Sequence, residues 1–114
     1  MTWEFACEAS AVQPGRCVGM EIAGQYIALF NVEGRFYATS DLCTHQIALL
    51  SAGRVDGEYI ECPLHQGRFH IPTGAPQGEP VTEPIKVYPI RNEGGRLLLE
   101  VDAADASTDK LFGD

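Results

Sequence analysis

The chain contains no apolar run approaching the roughly eighteen residues that a membrane-spanning helix requires. Its opening residues, Met1-Thr2-Trp3-Glu4-Phe5, show no basic segment leading into an apolar stretch, and twin arginines are absent. No export signal is expected, and the protein is read as cytoplasmic. Basic residues are scarce: 8 Lys and Arg stand against 16 Asp and Glu, for a formal net charge of −8. Phosphates repel such a surface, which argues against a nucleic-acid partner. An acidic face instead suits steering toward a basic patch on a protein, or simply solubility. There is no Gly-x-Gly-x-x-Gly for a dinucleotide and no nucleophile-plus-base set, so independent catalytic machinery is not expected. Helical periodicity is missing from every window of ten or more residues, as are repeats and low-complexity tracts.

What is present is β patterning. Trp3 to Cys7 reads as a short strand. Gln25–Val32 and Arg35–Thr39 flank Glu33-Gly34, a tight hairpin turn. Val55 and Glu58–Glu61 surround Asp56-Gly57, and Ile85–Arg91 and Arg96–Val101 flank Asn92-Glu93-Gly94-Gly95. Short strands with frequent turns predict an all-β domain, a small antiparallel sandwich or barrel. Pro89 inside its run implies a strand end or edge. At 114 residues, one domain over residues 1–102 is expected, with 103–114 a flexible acidic tail.

Two short segments carry the chemistry: Cys43-Thr44-His45 and, after sixteen intervening residues, Cys62-Pro63-Leu64-His65. Each offers one thiolate and one imidazole among loop-forming residues. Two sulfur and two nitrogen donors suit a tetrahedral zinc or an asymmetrically held [2Fe-2S] cluster, and the spacing favours the cluster. Cys7 and Cys17 are left over; each falls in a strand or at its edge and reads as a buried free thiol. A disulfide scaffold fits poorly.

Residues 41–80, from Asp-Leu-Cys-Thr-His through Cys-Pro-Leu-His-Gln-Gly-Arg-Phe to Thr-Gly-Ala-Pro, resemble the cluster-binding subdomain of soluble Rieske ferredoxins. The resemblance implies that Cys43 and Cys62 bind the inner iron while His45 and His65 bind the outer one near the surface. It implies that 71–80 is the proline-rich segment covering the cluster from a third side. High-potential relatives carry an extra cysteine in each ligand loop, joined as a disulfide clamp; Ile47 and Leu64 appear at those positions here. They also carry a serine and a tyrosine whose hydroxyls donate to sulfur, where this chain has Gly67 and Phe69. A potential near the low end of the Rieske range, roughly −150 mV, is expected.

Low potential disfavours quinol oxidation. The resemblance implies the ferredoxin component of an aromatic-ring-hydroxylating dioxygenase, a monomer moving single electrons from a flavin-containing reductase to a terminal oxygenase. The competing readings are the small Rieske subunit of another redox enzyme, such as nitrite reductase, and a zinc-binding non-redox module. Gln46, Leu64, Gln66 and Pro80 would frame a docking patch around exposed histidine edges. Gly53, Gly57, Gly67 and Gly74 would let backbone fold closely around the sulfides. Arg68 is expected to pair with a carboxylate, Asp41 to form a turn, and His70 to be a solvated loop histidine. Trp3, Phe5, Tyr26, Phe30, Phe36, Tyr37 and Tyr59 are read as core or interface packing.

Overall fold

Alternation and glycine turns organise the chain into strands, and every strand pair is antiparallel. The computed structural model describes residues 2–42, 49–63, 67–77 and 83–101. Strand β1 (Thr2–Glu8) is followed by β2 (Cys17–Ile22), β3 (Gln25–Val32) and β4 (Arg35–Ser40). Then come β5 (Arg54–Asp56), β6 (Tyr59–Glu61), β7 (Arg68–His70), β8 (Val87–Tyr88), β9 (Ile90–Glu93) and β10 (Arg96–Val101). No α-helix occurs among the described residues, and none of their helical turns is long and apolar enough to cross a membrane.

Three sheets result, ordered β1-β10-β9, β2-β3-β4-β8 and β5-β6-β7. Ala23-Gly24 joins β2 to β3, and Glu33-Gly34 joins β3 to β4, with positive φ at all four residues. That is the backbone a two-residue hairpin needs to match strand twist. Pro89 separates β8 from β9, which belong to different sheets. Lacking an amide donor, it stands where the chain leaves one ladder for the next.

Strand β3 explains the layering. Its residues Ile27 to Val32 are all buried, so the apolar run reports burial on both faces rather than one. Ile27 and Leu29 pack with Val12, Ala38, Tyr88, Leu97, Leu99 and Val101. Ala28, Phe30 and Val32 pack on the other side with Leu50, Ile60, Cys62, Phe69, Ile71 and Ile85. The central sheet thus lies between two cores, and the second of them contains Leu50 and Cys62.

Several packing expectations need correction. Trp3 and Phe5 are exposed, as is Tyr26; of the seven aromatics only Phe30 is fully buried. On the outer face of β1, Arg91 stacks 4.0 Å over Trp3 and Arg96 4.7 Å over Phe5. Guanidinium stacking covers these aromatic faces. Cys7 and Cys17 are free thiols, half-buried rather than buried. The expected tail at 103–114 lies outside the described residues.

Candidate metal centre

The first ligand segment leaves the central sheet at the end of β4. Asp41 donates its N–H to the Tyr26 carbonyl (2.9 Å) and accepts from the Leu50 N–H (2.7 Å). Leu42 and Leu49 form an antiparallel bridge, so chain entering and leaving 43–48 is held side by side. Cys43 and His45 themselves lie outside the described residues. A 3-10 turn over Leu50–Ala52 then leads to Gly53 and β5.

The second segment is the connection between β6 and β7. Cys62 donates its N–H to the Gly67 carbonyl at 2.7 Å, closing the ends of this loop. Cys62 is buried, 1% exposed, and Pro63 after it is exposed. Leu64, His65 and Gln66 lie outside the described residues. Residues 75–77 run back along β7, with Gln77 N–H donating to Arg68 C=O and Phe69 bridging Pro76. Pro80, expected at the docking patch, lies beyond the described part of that segment.

The two necks meet. Gly53 lies against Glu61, and a Cβ there would fall inside 3.0 Å of the Glu61 carbonyl oxygen. Leu50 from the first neck and Cys62 from the second share one core with Phe69. An open cleft of about 410 Å³ between them is lined by Ala52, Gly53, Arg54, Glu61, Cys62 and Pro63. The fold therefore brings the ends of both ligand segments to one place. Of the four expected donors it describes Cys62, on the buried side. Buried thiolate supply from one loop base, with two thiolates and two imidazoles in the sequence, fits an asymmetrically ligated [2Fe-2S] cluster.

Three of the four expected glycines have roles within the fold itself. Gly53 and Gly74 let one backbone approach another: a Cβ on Gly74 would fall inside 3.0 Å of the Ile85 carbonyl oxygen. Gly57 serves the β5–β6 turn at φ 61. Arg68 pairs with Asp56, the carboxylate partner expected of it, and lies over the Tyr59 ring. His70 is not a solvated loop histidine. It ends β7, with Nδ1 2.8 Å from Thr73 Oγ1 and Nε2 2.9 Å from Glu58 Oε1. Its side chain is 25% exposed, tilted against Tyr59.

Asp41 also departs from its expected role. It is 3% exposed, and its carboxylate accepts from the Ser51 N–H (2.7 Å) and hydroxyl (2.8 Å). Burial holds its carboxyl above the usual carboxylate range, and the two Ser51 hydrogen bonds work against that rise. Turn chemistry in the sequence hides this pairing, because the partner is ten residues away across the ligand segment. Burial, and then the nearby Asp41 charge, push the Cys17 thiol up to about 11 from its ordinary 9.0. At pH 8 its thiolate fraction is then about a hundredfold lower than an ordinary thiol's, since alkylation follows thiolate. Iodoacetamide labelling followed by mass spectrometry should show that retardation; labelling at the rate of an unperturbed thiol would contradict it.

Comparison with known proteins identifies the family. The sequence profile of the Rieske [2Fe-2S] domain matches residues 2–89. The chain belongs to this family. It is 43% identical over 105 residues to the biphenyl dioxygenase ferredoxin subunit of Pseudomonas sp. (strain KKS102), covering 91% of this chain and 96% of that one. A solved complex of reduced oxygenase and oxidised ferredoxin in carbazole 1,9a-dioxygenase contains a chain that superposes with TM-score 0.81 at 38% identity. That match covers 88% of this chain and 97% of the other. A structure described as a candidate NADH-dependent nitrite reductase small subunit from Mycobacterium tuberculosis superposes with TM-score 0.78 at 27% identity, covering 89% and 96%. Membership in the Rieske family brings a [2Fe-2S] cluster and removes the zinc-module reading.

Proposed function

We propose that this chain is the ferredoxin component of an aromatic-ring-hydroxylating dioxygenase system. It takes single electrons from a flavin-containing reductase and delivers them to a terminal oxygenase, as a cytoplasmic monomer. The observation that carries this reading is near end-to-end likeness to a dioxygenase ferredoxin, over 96% of that relative's length. The nitrite reductase subunit is the weaker reading, favoured by a similar fold at lower identity.

Cys43 and Cys62 would hold one iron of the cluster, and His45 and His65 the other. A bound cluster supplies reversible one-electron chemistry and nothing else. This chain's residues do the rest. Leu50, Cys62 and Phe69 share a buried core at the base of the second segment. Leu49, 45% exposed, and the exposed Pro63 present apolar surface beside the two necks, where a partner can seat without desolvating charge. A surface of net charge −8 speeds encounter with a basic partner.

The test is stopped-flow mixing of dithionite-reduced protein with oxidised terminal oxygenase of a biphenyl dioxygenase system. Second-order reoxidation that slows as ionic strength rises is expected. No transfer to the oxygenase, with tight co-purification and electron delivery to a nitrite reductase catalytic subunit, would replace this reading by its rival.

A further inference from the structure

A single side chain ties the two ends of the segment that carries Cys43 and His45. Asp41 stands before it and Ser51 after it. Asp41 Oδ1 accepts the Ser51 N–H at 2.7 Å, and Oδ2 accepts the Ser51 hydroxyl at 2.8 Å. The Asp41 carbonyl also accepts the Leu50 N–H, and its N–H donates to the Tyr26 carbonyl of β3. Among the described residues no basic side chain forms an ion pair with it. Burying a carboxylate is unfavourable unless hydrogen bonds compensate, so this residue is an expensive choice for a simple turn. An ordinary aspartate turn reaches two or three residues along the chain; this carboxylate reaches ten.

Strand β2 supplies a third part. A Cβ on Gly19 would fall inside 3.0 Å of Ser51 Oγ, Ser51 Cβ and Asp41 Oδ2. The carboxylate and hydroxyl therefore rest on bare backbone. The Cys17 thiol, on the same strand, lies 3.6 Å from the Ser51 carbonyl oxygen as a weak donor.

We propose that Asp41, Ser51 and Gly19 form a positioning clamp that fixes the neck of the first ligand segment and thereby holds Cys43 and His45 for the cluster. The inference rests on those two residues being ligands. Closing the neck in advance removes freedom the segment would otherwise lose on binding iron, and it keeps the ligands oriented afterwards. Groups that orient metal ligands from outside the coordination shell alter metal affinity by about 10–100-fold.

Cluster-loaded wild type and variants are exposed to a ferrous-iron chelator. Bleaching of the visible bands is followed, alongside low-temperature EPR of the dithionite-reduced samples. Asp41→Ala should lose its cluster about tenfold faster than wild type or more, with a broadened reduced-state signal. Asp41→Asn keeps an acceptor for the Ser51 N–H and gains a donor toward the Ser51 hydroxyl, so it should return the rate close to wild type. Wild-type behaviour of Asp41→Ala overturns the clamp. So does equal loss in Asp41→Asn, which would transfer the effect to charge. The control is Leu97→Ala, in the opposite core, at a temperature where all variants remain folded; equally fast loss there would reduce the effect to general loosening and overturn the clamp. Should Asp41→Ala fail to fold, Ser51→Ala decides: faster loss supports the clamp, an unchanged rate overturns it. A wild-type protein with no Rieske signal overturns the ligand reading itself; a normal wild type with an unaltered variant overturns the clamp alone.

Discussion

Phe69→Ala is expected to destabilise the protein by about 3–5 kcal/mol, the range for emptying a fully buried aromatic site. Phe69 is 0% exposed and packs with Leu50, Ile60 and Cys62. It pairs with Ile60 across β6 and β7 and bridges Pro76, so three backbone segments converge around its ring. These segments are pinned by their own ladders and cannot collapse into the space, which places the change at the costly end. A small domain has about 5–15 kcal/mol in all, so the loss approaches the whole of its stability. Urea unfolding followed by circular dichroism checks it; a change below about 1 kcal/mol would show that the core under Cys62 tolerates a void.

Gly53→Ala should also be costly, at about 3 kcal/mol. Its φ of −88 lies outside the left-handed region, so the positive-φ penalty is absent there. The obstacle is steric: the new methyl would lie inside 3.0 Å of the Glu61 carbonyl oxygen, a backbone atom that cannot swing aside. Relief requires the two ligand necks to part. Gly57→Ala is the informative contrast, because that glycine has φ 61 and open space around its Cβ direction. It should lose only about 1–2 kcal/mol, from the left-handed backbone alone. Parallel denaturation of both variants decides the matter. Equal losses would mean that the Gly53–Glu61 contact does not hold the necks together.

How far the fold was legible follows from what each residue needs. The Glu33-Gly34 turn could be read locally, since a two-residue hairpin demands positive φ and glycine provides it. Pro89 could be read as a strand end because it lacks a donor. The proposed ligand segments rest on donor type and spacing alone, since Cys43, His45 and His65 lie outside the described residues. Burial was harder: alternation reveals that a strand has two faces and not which is covered. Hence Trp3 and Phe5 read as core or interface residues; they are not core, and arginines stack over their rings. His70 and Asp41 were misjudged for a related reason. Their partners Glu58 and Ser51 are brought to them by sheet pairing and neck closure, which no local window of sequence contains. Gly53 lies against the Glu61 backbone, a contact that no local window of sequence contains.

The central claim, a low-potential Rieske cluster that serves as an electron carrier, is tested most directly by a spectroelectrochemical titration of the purified protein. Gly67 and Phe69 provide no side-chain hydroxyl, and Leu64 stands where a disulfide clamp would need cysteine. The expected result is one reversible one-electron step, bleaching the visible bands, at roughly −150 mV. A clearly positive midpoint would contradict the account, since it would place the cluster with the quinol-oxidising branch despite the absence of those hydroxyls and that clamp.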